Sequence, residues 1–262
     1  MAIATKFVNQ FVLLGASNLT RALATAVDAA RQVCGGPSRV LVAAGHGRSY
    51  GVYSRVLFRG LPGIRQCGLW DDLRKGPRLP TFALITDLGN DIVYGIAPEE
   101  ILGWVRCCVE CLAEHHARIL VTRVPLQRLE QLTPSGYRLV RALLFPGRQL
   151  SLPEALDRAR AIDLALGRLA PDYGLRLVEQ RPEWYGLDPV HIRRRMLATA
   201  YGEIFKHWLD TVCDEPPVVK PGLGRWLRFQ LLAPQYQCVC GFNRHRRQPA
   251  GMLTDGSTLS LY

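Results

Sequence analysis

The sequence lacks any unbroken run of the ~18–20 apolar residues that a membrane-spanning helix needs, which excludes a helical membrane protein. It also lacks internal repeats and low-complexity tracts, so we expect neither a solenoid nor a disordered chain. No small-residue cleavage site precedes the turn at residues 15–17, and a signal peptide would have to consume that turn. We therefore expect a cytoplasmic protein.

Paired cysteine clusters are absent as well. The chain has 8 cysteines but no pair of CxxC motifs at the spacing of a zinc site. On a helix Cys108 and Cys111 share a face, and Cys111 and His115 share one too, so a metal site there is a minor alternative. We expect free buried thiols in a reducing compartment, with no metal and no organic cofactor.

Acidic residues are scarce relative to basic ones. The 33 Lys and Arg residues outnumber the 22 Asp and Glu residues, which gives a formal net charge of +11. A solvated basic surface explains this balance, and attraction of anionic partners is the alternative. Arg244, Arg246 and Arg247 near the end suggest nucleic-acid binding as a further alternative, but no recognised nucleic-acid motif accompanies them, so we expect no specific nucleic-acid partner.

Apolar runs, by contrast, recur along the chain. The 262 residues are 48% hydrophobic, which is enough for one sizeable core. Five runs rich in Val, Leu and Ile predict buried strands at residues 11–14, 40–44, 82–87, 119–124 and 175–178. Because the runs are nearly continuous rather than alternating, they indicate a parallel sheet covered on both faces. Helical patterns separate them at residues 19–33, 50–58, 98–116, 153–169 and 189–212, and this alternation predicts a doubly wound α/β fold.

Two regions depart from that rhythm. Residues 126–152 are long and rich in Pro, Gly and Arg, which predicts a lid or an insertion beside a site. Residues 214–217 are typical of a linker, and the Asp255–Gly256 pair between apolar residues predicts a hairpin. We therefore divide the chain into a main domain, residues 1–212, and a small β-rich C-terminal appendage, residues 213–262.

Ser17 is the first candidate for chemistry. It follows the first predicted strand in Gly15-Ala16-Ser17-Asn18 and precedes a predicted helix. Open α/β sheets place ligand sites at such carboxyl ends of strands. Free amides at the helix start would favour an oxyanion, and a nearby base would make the hydroxyl a nucleophile. The alternative is a serine that merely caps the helix.

Asp188 and His191 form the second candidate. Three residues apart, they could come from one turn, with the carboxylate orienting the imidazole towards Ser17. The alternative is an Asp that caps the last helix, followed by a surface histidine. Arg193, Arg194 and Arg195 follow, and we expect them on a solvated helix face rather than in an anion site.

Two loops could supply oxyanion donors. Asn90 in Gly89-Asn90-Asp91 ends the third predicted strand, where its amide could donate to an oxyanion, or could belong to an ordinary turn. The glycine-rich loop after the second strand offers a backbone amide at Gly47, or at Gly45. The same loop matches the GxSxG nucleophile elbow, which would make Ser49 the nucleophile. Too few strands precede Ser49 for that fold, so we prefer Ser17.

Together these motifs resemble the SGNH/GDSL hydrolase superfamily over about residues 11–209. Ser17, a glycine of the 45–51 loop, Asn90 and His191 match its four blocks, although Ala16 replaces the usual Asp of GDS. The resemblance implies a three-layer, flavodoxin-like α/β/α sandwich with a five-stranded parallel sheet in the order 2-1-3-4-5. It also implies acyl-ester hydrolysis or transfer without a metal or cofactor. One hydrogen bond of the nucleophile turn must be lost or supplied by another residue.

The expected function is that of a serine esterase acting through an acyl-enzyme, with Ser17 as nucleophile, His191 as base and Asp188 as its orienting group. Gly47 and Asn90 would hold the oxyanion, and Trp184 and His46 would line the substrate site. The substrate would be a small-molecule, glycan or lipid ester. An acyltransferase, a non-catalytic binding protein and an esterase using Ser49 remain alternatives, and the oligomeric state stays open.

Overall fold

A computed structural model describes residues 7–144, 149–186, 188–209 and 218–262 of the chain. The predicted linker at residues 214–217 lies outside this described part. None of the helices among the described residues is long and apolar enough to cross a bilayer.

The strands, in chain order, are β1 (Asn9–Leu14), β2 (Ser38–Ala43), β3 (Ser54–Val56), β4 (Arg59–Leu61), β5 (Thr81–Ile85), β6 (Arg118–Thr122), β7 (Arg176–Val178), β8 (Tyr236–Val239), β9 (Phe242–His245), β10 (Gly251–Met252) and β11 (Thr258–Leu261). Five of them correspond to the five predicted apolar runs, and all five pair in parallel in the order β2-β1-β5-β6-β7. Most side chains of these strands are buried because helices cover both faces of the sheet.

The main sheet is larger than the resemblance implied. Among the described residues it has seven strands, in the order β10-β11-β2-β1-β5-β6-β7, so the prediction of five strands is wrong. The additional strands come from the C-terminal tail: β11 pairs in parallel with β2, and β10 folds back on β11. That fold-back confirms the hairpin predicted at Asp255–Gly256. In the predicted five-stranded sheet β2 is an edge strand. In the structure β11 pairs with that edge, and its apolar residues are buried there.

A second, four-stranded sheet has the order β3-β4-β8-β9. The predicted helix over residues 50–58 is wrong, because this segment turns at Leu57, with a φ of 53°, and forms the β3–β4 hairpin. The β8–β9 hairpin of the tail pairs with β4. The tail therefore adds strands to both sheets. The division of the chain at residue 212 into a main domain and a small β-rich appendage stays a prediction.

The helices are α1 (Ser17–Cys34), α2 (Leu69–Lys75), α3 (Gly89–Val93), α4 (Pro98–Ala113), α5 (Leu126–Glu130), α6 (Pro134–Leu144), α7 (Leu152–Tyr173), α8 (Leu197–Phe205) and α9 (Leu223–Gln230). Side chains of α1 and α8 belong to the hydrophobic cluster on one face of the main sheet. Side chains of α4 and α7 belong to the cluster on the other face. The chain therefore has the predicted α/β architecture, a mainly parallel sheet between two helical layers.

The last predicted helix begins later than expected. Residues 189–212 were predicted as helical, but α8 starts at Leu197 after a 3₁₀ turn at Arg194–Met196. An antiparallel β-bridge between Tyr185 and Ile192 closes a loop ahead of this turn. As a result His191 lies in a loop rather than on a helix, beside the carboxyl ends of the strands.

Candidate active site

Ser17 lies where the sequence predicts it, between β1 and α1. It is the first residue of α1, and the N-cap position is taken by Ala16, whose side chain makes no capping hydrogen bond. Ser17 is therefore not the helix cap that the alternative interpretation required. Its side chain is 6% exposed and faces a cleft.

Asp87, just after β5, supplies the missing cap from a different strand. Its carboxylate accepts hydrogen bonds from the amides of Ala16, Asn18 and Leu19, at 2.8, 3.1 and 3.2 Å. Two of these amides belong to the first turn of α1, where helical partners are lacking and a negative charge is favoured. Asp87 has a φ of 64°. The carboxylate that Ala16 cannot provide thus comes from the neighbouring strand end.

The amide of Ser17 is the one amide in this turn that Asp87 does not engage. Within the described residues it has no hydrogen-bond partner. It lies at the positive end of the α1 dipole, beside the Ser17 hydroxyl. A free N–H in this place is suited to an anion that forms on a group attached to the Ser17 oxygen.

Asp188 and His191 pair as predicted. His191 Nδ1 lies 2.6 Å from Asp188 Oδ2, and Asp188 Oδ1 accepts the amides of Val190 and His191. Burial alone would raise the pKa of Asp188, but the hydrogen bond and the charge of His191, with the two amides, lower it overall. The carboxylate is therefore ionised and holds the imidazole so that Nε2 is left for another partner.

Asn18 ties the nucleophile turn to the histidine loop. Its Nδ2 donates to Asp87 Oδ1 at 2.9 Å and to the Val190 carbonyl at 3.0 Å. Its Oδ1 accepts the Ile192 amide at 2.9 Å. The residue next to Ser17 therefore binds the backbone on both sides of His191, which brings two segments 174 residues apart into one site.

Asn90 lies at the start of α3 and lines the same cleft as Ser17. Its Nδ2 is 3.5 Å from the carbonyl of Arg48, so the amide group sits against the glycine-rich loop. Gly47 in that loop has a φ of 62°, and its carbonyl accepts the Tyr94 hydroxyl. An added Cβ at Gly47 would come 2.5 Å from Val56, and one at Gly45 would come 2.3 Å from Leu61. Both glycines are required by the packing, and neither is singled out as the oxyanion donor.

Ser49 occupies a different environment. It is fully buried, and its hydroxyl oxygen accepts the amides of Gly51 and Val52 at 3.1 and 3.0 Å. The strand–turn–helix context of a nucleophile elbow is missing, since β3 follows the loop. The nearby Asp91 is also buried, and its Oδ2 accepts the Tyr50 amide at 2.9 Å. Burial raises the pKa of Asp91 to about 6, against the opposing contacts from Ser49 and Tyr50.

A cleft runs from Ser17 to the segment that was predicted as a lid, and it encloses about 890 Å³ with its open mouth included. Helices α5 and α6 contribute its outer wall. Most of its lining residues are apolar: Leu88, Ile92, Val93, Val124, Pro125, Leu129, Leu132, Tyr137, Ala155, Tyr185, Pro189 and Val190. The buried hydroxyl of Tyr137 has no hydrogen-bond partner among the described residues. The cleft is suited to the apolar part of a substrate.

The two predicted substrate-lining residues lie in different surroundings. Trp184 is 1% exposed and belongs to a hydrophobic cluster, while its neighbour Tyr185 lines the cleft. The assignment of Trp184 to the substrate site stays a prediction. His46 is exposed near His191 and Asp87. Partial desolvation and then the charge of His191 lower the pKa of His46.

Metal ligands do not gather anywhere in the described part of the chain. No group of three or more His, Cys, Asp or Glu side chains there could hold an ion. Near the minor alternative site, His115 Nδ1 contacts the Cys111 carbonyl at 3.0 Å.

Asp87 and Asn18 are the site residues that sequence reasoning missed. Asn18 was noticed only as a part of the nucleophile motif, and Asp87 only as the end of a strand. The sequence signal that could have identified them is that each is a polar residue just after a predicted strand, β1 for Asn18 and β5 for Asp87. Their roles depend on β1 pairing with β5 and on the return of the histidine loop.

No protein family model matches the chain, and no curated protein matches it. Solved structures do. One of them is 13% identical, with a TM-score of 0.50, and covers 77% of this chain and 95% of its own. The psychrotrophic esterase EstA from Pseudoalteromonas sp. is 12% identical, with a TM-score of 0.49, over 78% of this chain and 100% of its own. AlinE4, an SGNH-hydrolase family esterase, is 16% identical, with a TM-score of 0.39, over 65% of this chain and 75% of its own.

At these identities the likeness concerns the fold alone. The structure with a TM-score of 0.50 shares the α/β architecture of this chain, and membership of the SGNH/GDSL superfamily stays a prediction. Catalytic residues and substrate have to be argued from the contacts of this chain.

Proposed function

We propose that the protein is a serine esterase that cleaves an O-acyl ester through a covalent acyl-enzyme. Ser17 is the nucleophile, His191 is the general base and Asp188 orients His191. The Ser17 amide, the Asn90 side chain and a glycine amide of the 45–47 loop, Gly47 in our assignment, hold the oxyanion.

The observation that carries this proposal is the Asn18 bridge. Asn18 adjoins Ser17 in sequence and hydrogen-bonds the backbone at Val190 and Ile192, on both sides of His191. A serine that only began a helix would not require the histidine loop to be fastened to its neighbour. The bridge holds the backbone of the histidine loop against the turn that carries Ser17, which supports the approach of hydroxyl and imidazole that nucleophile activation needs.

In the first half-reaction His191 Nε2 takes the proton of the Ser17 hydroxyl as Oγ attacks the ester carbonyl. The Asp188 carboxylate at Nδ1 stabilises the imidazolium that forms. The tetrahedral oxyanion accepts hydrogen bonds from the unpartnered Ser17 amide and from Asn90. Loss of one such donor typically lowers kcat by ~10²–10³-fold.

The first intermediate collapses when His191 gives its proton to the leaving alkoxide, which departs as an alcohol and leaves the acyl group on Ser17. In the second half-reaction water, or another alcohol in a transferase, attacks the acyl carbonyl while His191 again takes a proton. The bond between the acyl carbon and Ser17 Oγ then breaks, His191 returns the proton to Ser17, and the acid or the new ester leaves. The apolar cleft beside Ser17 and Asn90 holds the acyl chain. The acyl group that we propose is therefore uncharged and larger than acetyl.

Turnover of p-nitrophenyl acetate and p-nitrophenyl butyrate by purified protein tests the proposal. We expect measurable hydrolysis with a preference for butyrate, and a loss of at least about 10³-fold in kcat for Ser17→Ala. Ser49→Ala is the matched control, since it removes an equal hydroxyl outside the cleft. No turnover by a folded wild-type protein, or a loss confined to Ser49→Ala, would contradict the assignment.

A further inference from the structure

Two long stretches of the sequence contain no acidic residue. Residues 29–70 and residues 216–254 contain neither Asp nor Glu. The four-stranded sheet is built entirely from these stretches, with β3 and β4 from the first and β8 and β9 from the second. The four strands therefore contain three arginines, Arg55, Arg59 and Arg244, and no carboxylate.

The two hairpins of this sheet place their turns side by side. Arg59 at the start of β4 pairs with Val239 at the end of β8, so both turns are at the same end. The Cys240 amide donates to the Phe58 carbonyl at 2.8 Å, which joins one turn to the other. We call Leu57, Phe58 and Phe242 the hairpin tip.

The hairpin tip is apolar and exposed. Leu57, Phe58 and Phe242 are 86%, 75% and 73% exposed. Single exposed apolar residues are common, but three at adjoining turns form a patch that water solvates poorly. Arg55, Arg59 and Arg244 lie within two residues of the tip in sequence.

The hairpin tip also borders the candidate active site. Val56, next to Leu57, packs so closely on Gly47 that a Cβ there would come within 2.5 Å. The charge of Arg59 is one of the influences that lower the pKa of His46, which puts the β4 end of the tip near the imidazoles. A surface that contacts the tip would therefore lie beside the 45–48 loop.

We propose that the hairpin tip docks the protein on an anionic phospholipid surface. Aromatic and aliphatic side chains at the tip would enter the headgroup boundary, and the flanking arginines would contact anionic headgroups. The exposed apolar side chains favour a lipid surface over a nucleic acid, whose phosphates would use the arginines alone. Docking brings the glycine-rich loop to the interface where lipid esters are found.

Co-sedimentation with phosphatidylglycerol vesicles and with phosphatidylcholine vesicles tests this proposal. We expect binding to phosphatidylglycerol that weakens as salt is raised, and binding to phosphatidylcholine at least about tenfold weaker. The tip variant, Leu57→Asn with Phe58→Ser and Phe242→Ser, should reduce phosphatidylglycerol binding at least about tenfold. Asn is chosen at position 57 because it tolerates the positive φ.

A second variant tests the docking surface independently, in case the tip variant does not fold. Arg55→Gln with Arg244→Gln leaves the apolar residues in place and should reduce binding to phosphatidylglycerol by about tenfold or more. The matched control is Leu164→Ser with Arg168→Gln, which removes an exposed leucine, 57% exposed, and an exposed arginine from α7. The control should bind like the wild type.

Full binding by both the tip variant and the arginine variant would overturn the proposal. So would a lack of vesicle binding, with or without salt-dependent binding of double-stranded DNA. Hydrolysis of soluble p-nitrophenyl butyrate, measured on the same preparations, reports the proposed esterase function separately. A wild-type protein that binds vesicles but does not hydrolyse p-nitrophenyl butyrate would contradict the esterase proposal and support the docking surface.

Discussion

Ser17 and Ser49 follow neighbouring strands of one sheet, and each lies close to a carboxylate, yet their hydroxyls are used differently. The Ser49 oxygen accepts two amides of its own turn and is sealed in the core. At Ser17 the carboxylate of Asp87 accepts the amides at the start of α1, so the Ser17 hydroxyl is not needed to cap the helix. A serine becomes available for chemistry when another residue satisfies the backbone around it.

Asp87→Ala tests this comparison with the largest expected effect. Three amides lose their acceptor, so we expect a fall of about 100-fold or more in kcat for p-nitrophenyl butyrate, from misplacement of Ser17. The free energy of unfolding should fall by on the order of 3 kcal/mol. Asp71→Ala on α2, whose carboxylate pairs with Arg74 at the surface, is the control and should change neither. An unchanged kcat for Asp87→Ala would break the comparison.

Asp91 is the carboxylate near Ser49, and its raised pKa predicts that the stability of the protein depends on pH. Its pKa is raised to about 6 in the folded protein from the ordinary value of 3.8. Between those values the folded state binds more protons than the unfolded chain, so this group lowers stability as pH rises from about 4 to about 6. The full loss is up to about 3 kcal/mol.

Asp91→Asn should remove that pH-dependent loss. Urea unfolding of both proteins across this range isolates the contribution, because the other carboxylates titrate alike in the two. If the difference in stability between the two proteins stays constant with pH, the raised pKa of Asp91 is refuted.

Asn18→Ala breaks the bridge between Ser17 and His191. We expect kcat to fall by about 10- to 100-fold with little change in KM, because the reacting groups lose their alignment while the cleft remains. Asn243→Ala, on the exposed strand β9, is the control. A change in KM alone would mean that Asn18 contacts substrate rather than positions the catalytic groups.

Ser49→Ala has the smallest expected effect on turnover. The buried Gly51 amide and the partly buried Val52 amide lose their acceptor, which should lower the free energy of unfolding by about 1–3 kcal/mol and leave kcat within about twofold. Ser135→Ala at an exposed position on α6 should leave both unchanged. A Ser49→Ala protein that is as stable as the wild type would show that these hydrogen bonds contribute nothing to the fold.

Local patterns predicted the parallel strands and the positions of Ser17 and Asn90 after them, because apolar runs mark strands and polar motifs mark their ends. The Asp188–His191 hydrogen bond also follows from local spacing. Residue 187, which directly precedes Asp188 in the sequence, lies outside the described residues.

Long-range pairing escaped prediction. The local sequence of residues 50–58 does not indicate pairing with residues 236–245. The β3–β4 hairpin was therefore predicted as a helix. The helper roles of Asp87 and Asn18 likewise depend on segments about 70 and 170 residues away. Trp184 was assigned to a pocket because a bulky aromatic near a catalytic motif suits both a pocket and a core. Its burial is decided by tertiary packing.

Labelling with a fluorophosphonate, followed by peptide mapping of the modified residue, tests the central claim most directly. We predict one phosphonylated residue, Ser17, and no labelling of a folded His191→Ala protein over the same time. Label on Ser49, or no label on an intact wild-type protein, would contradict the account.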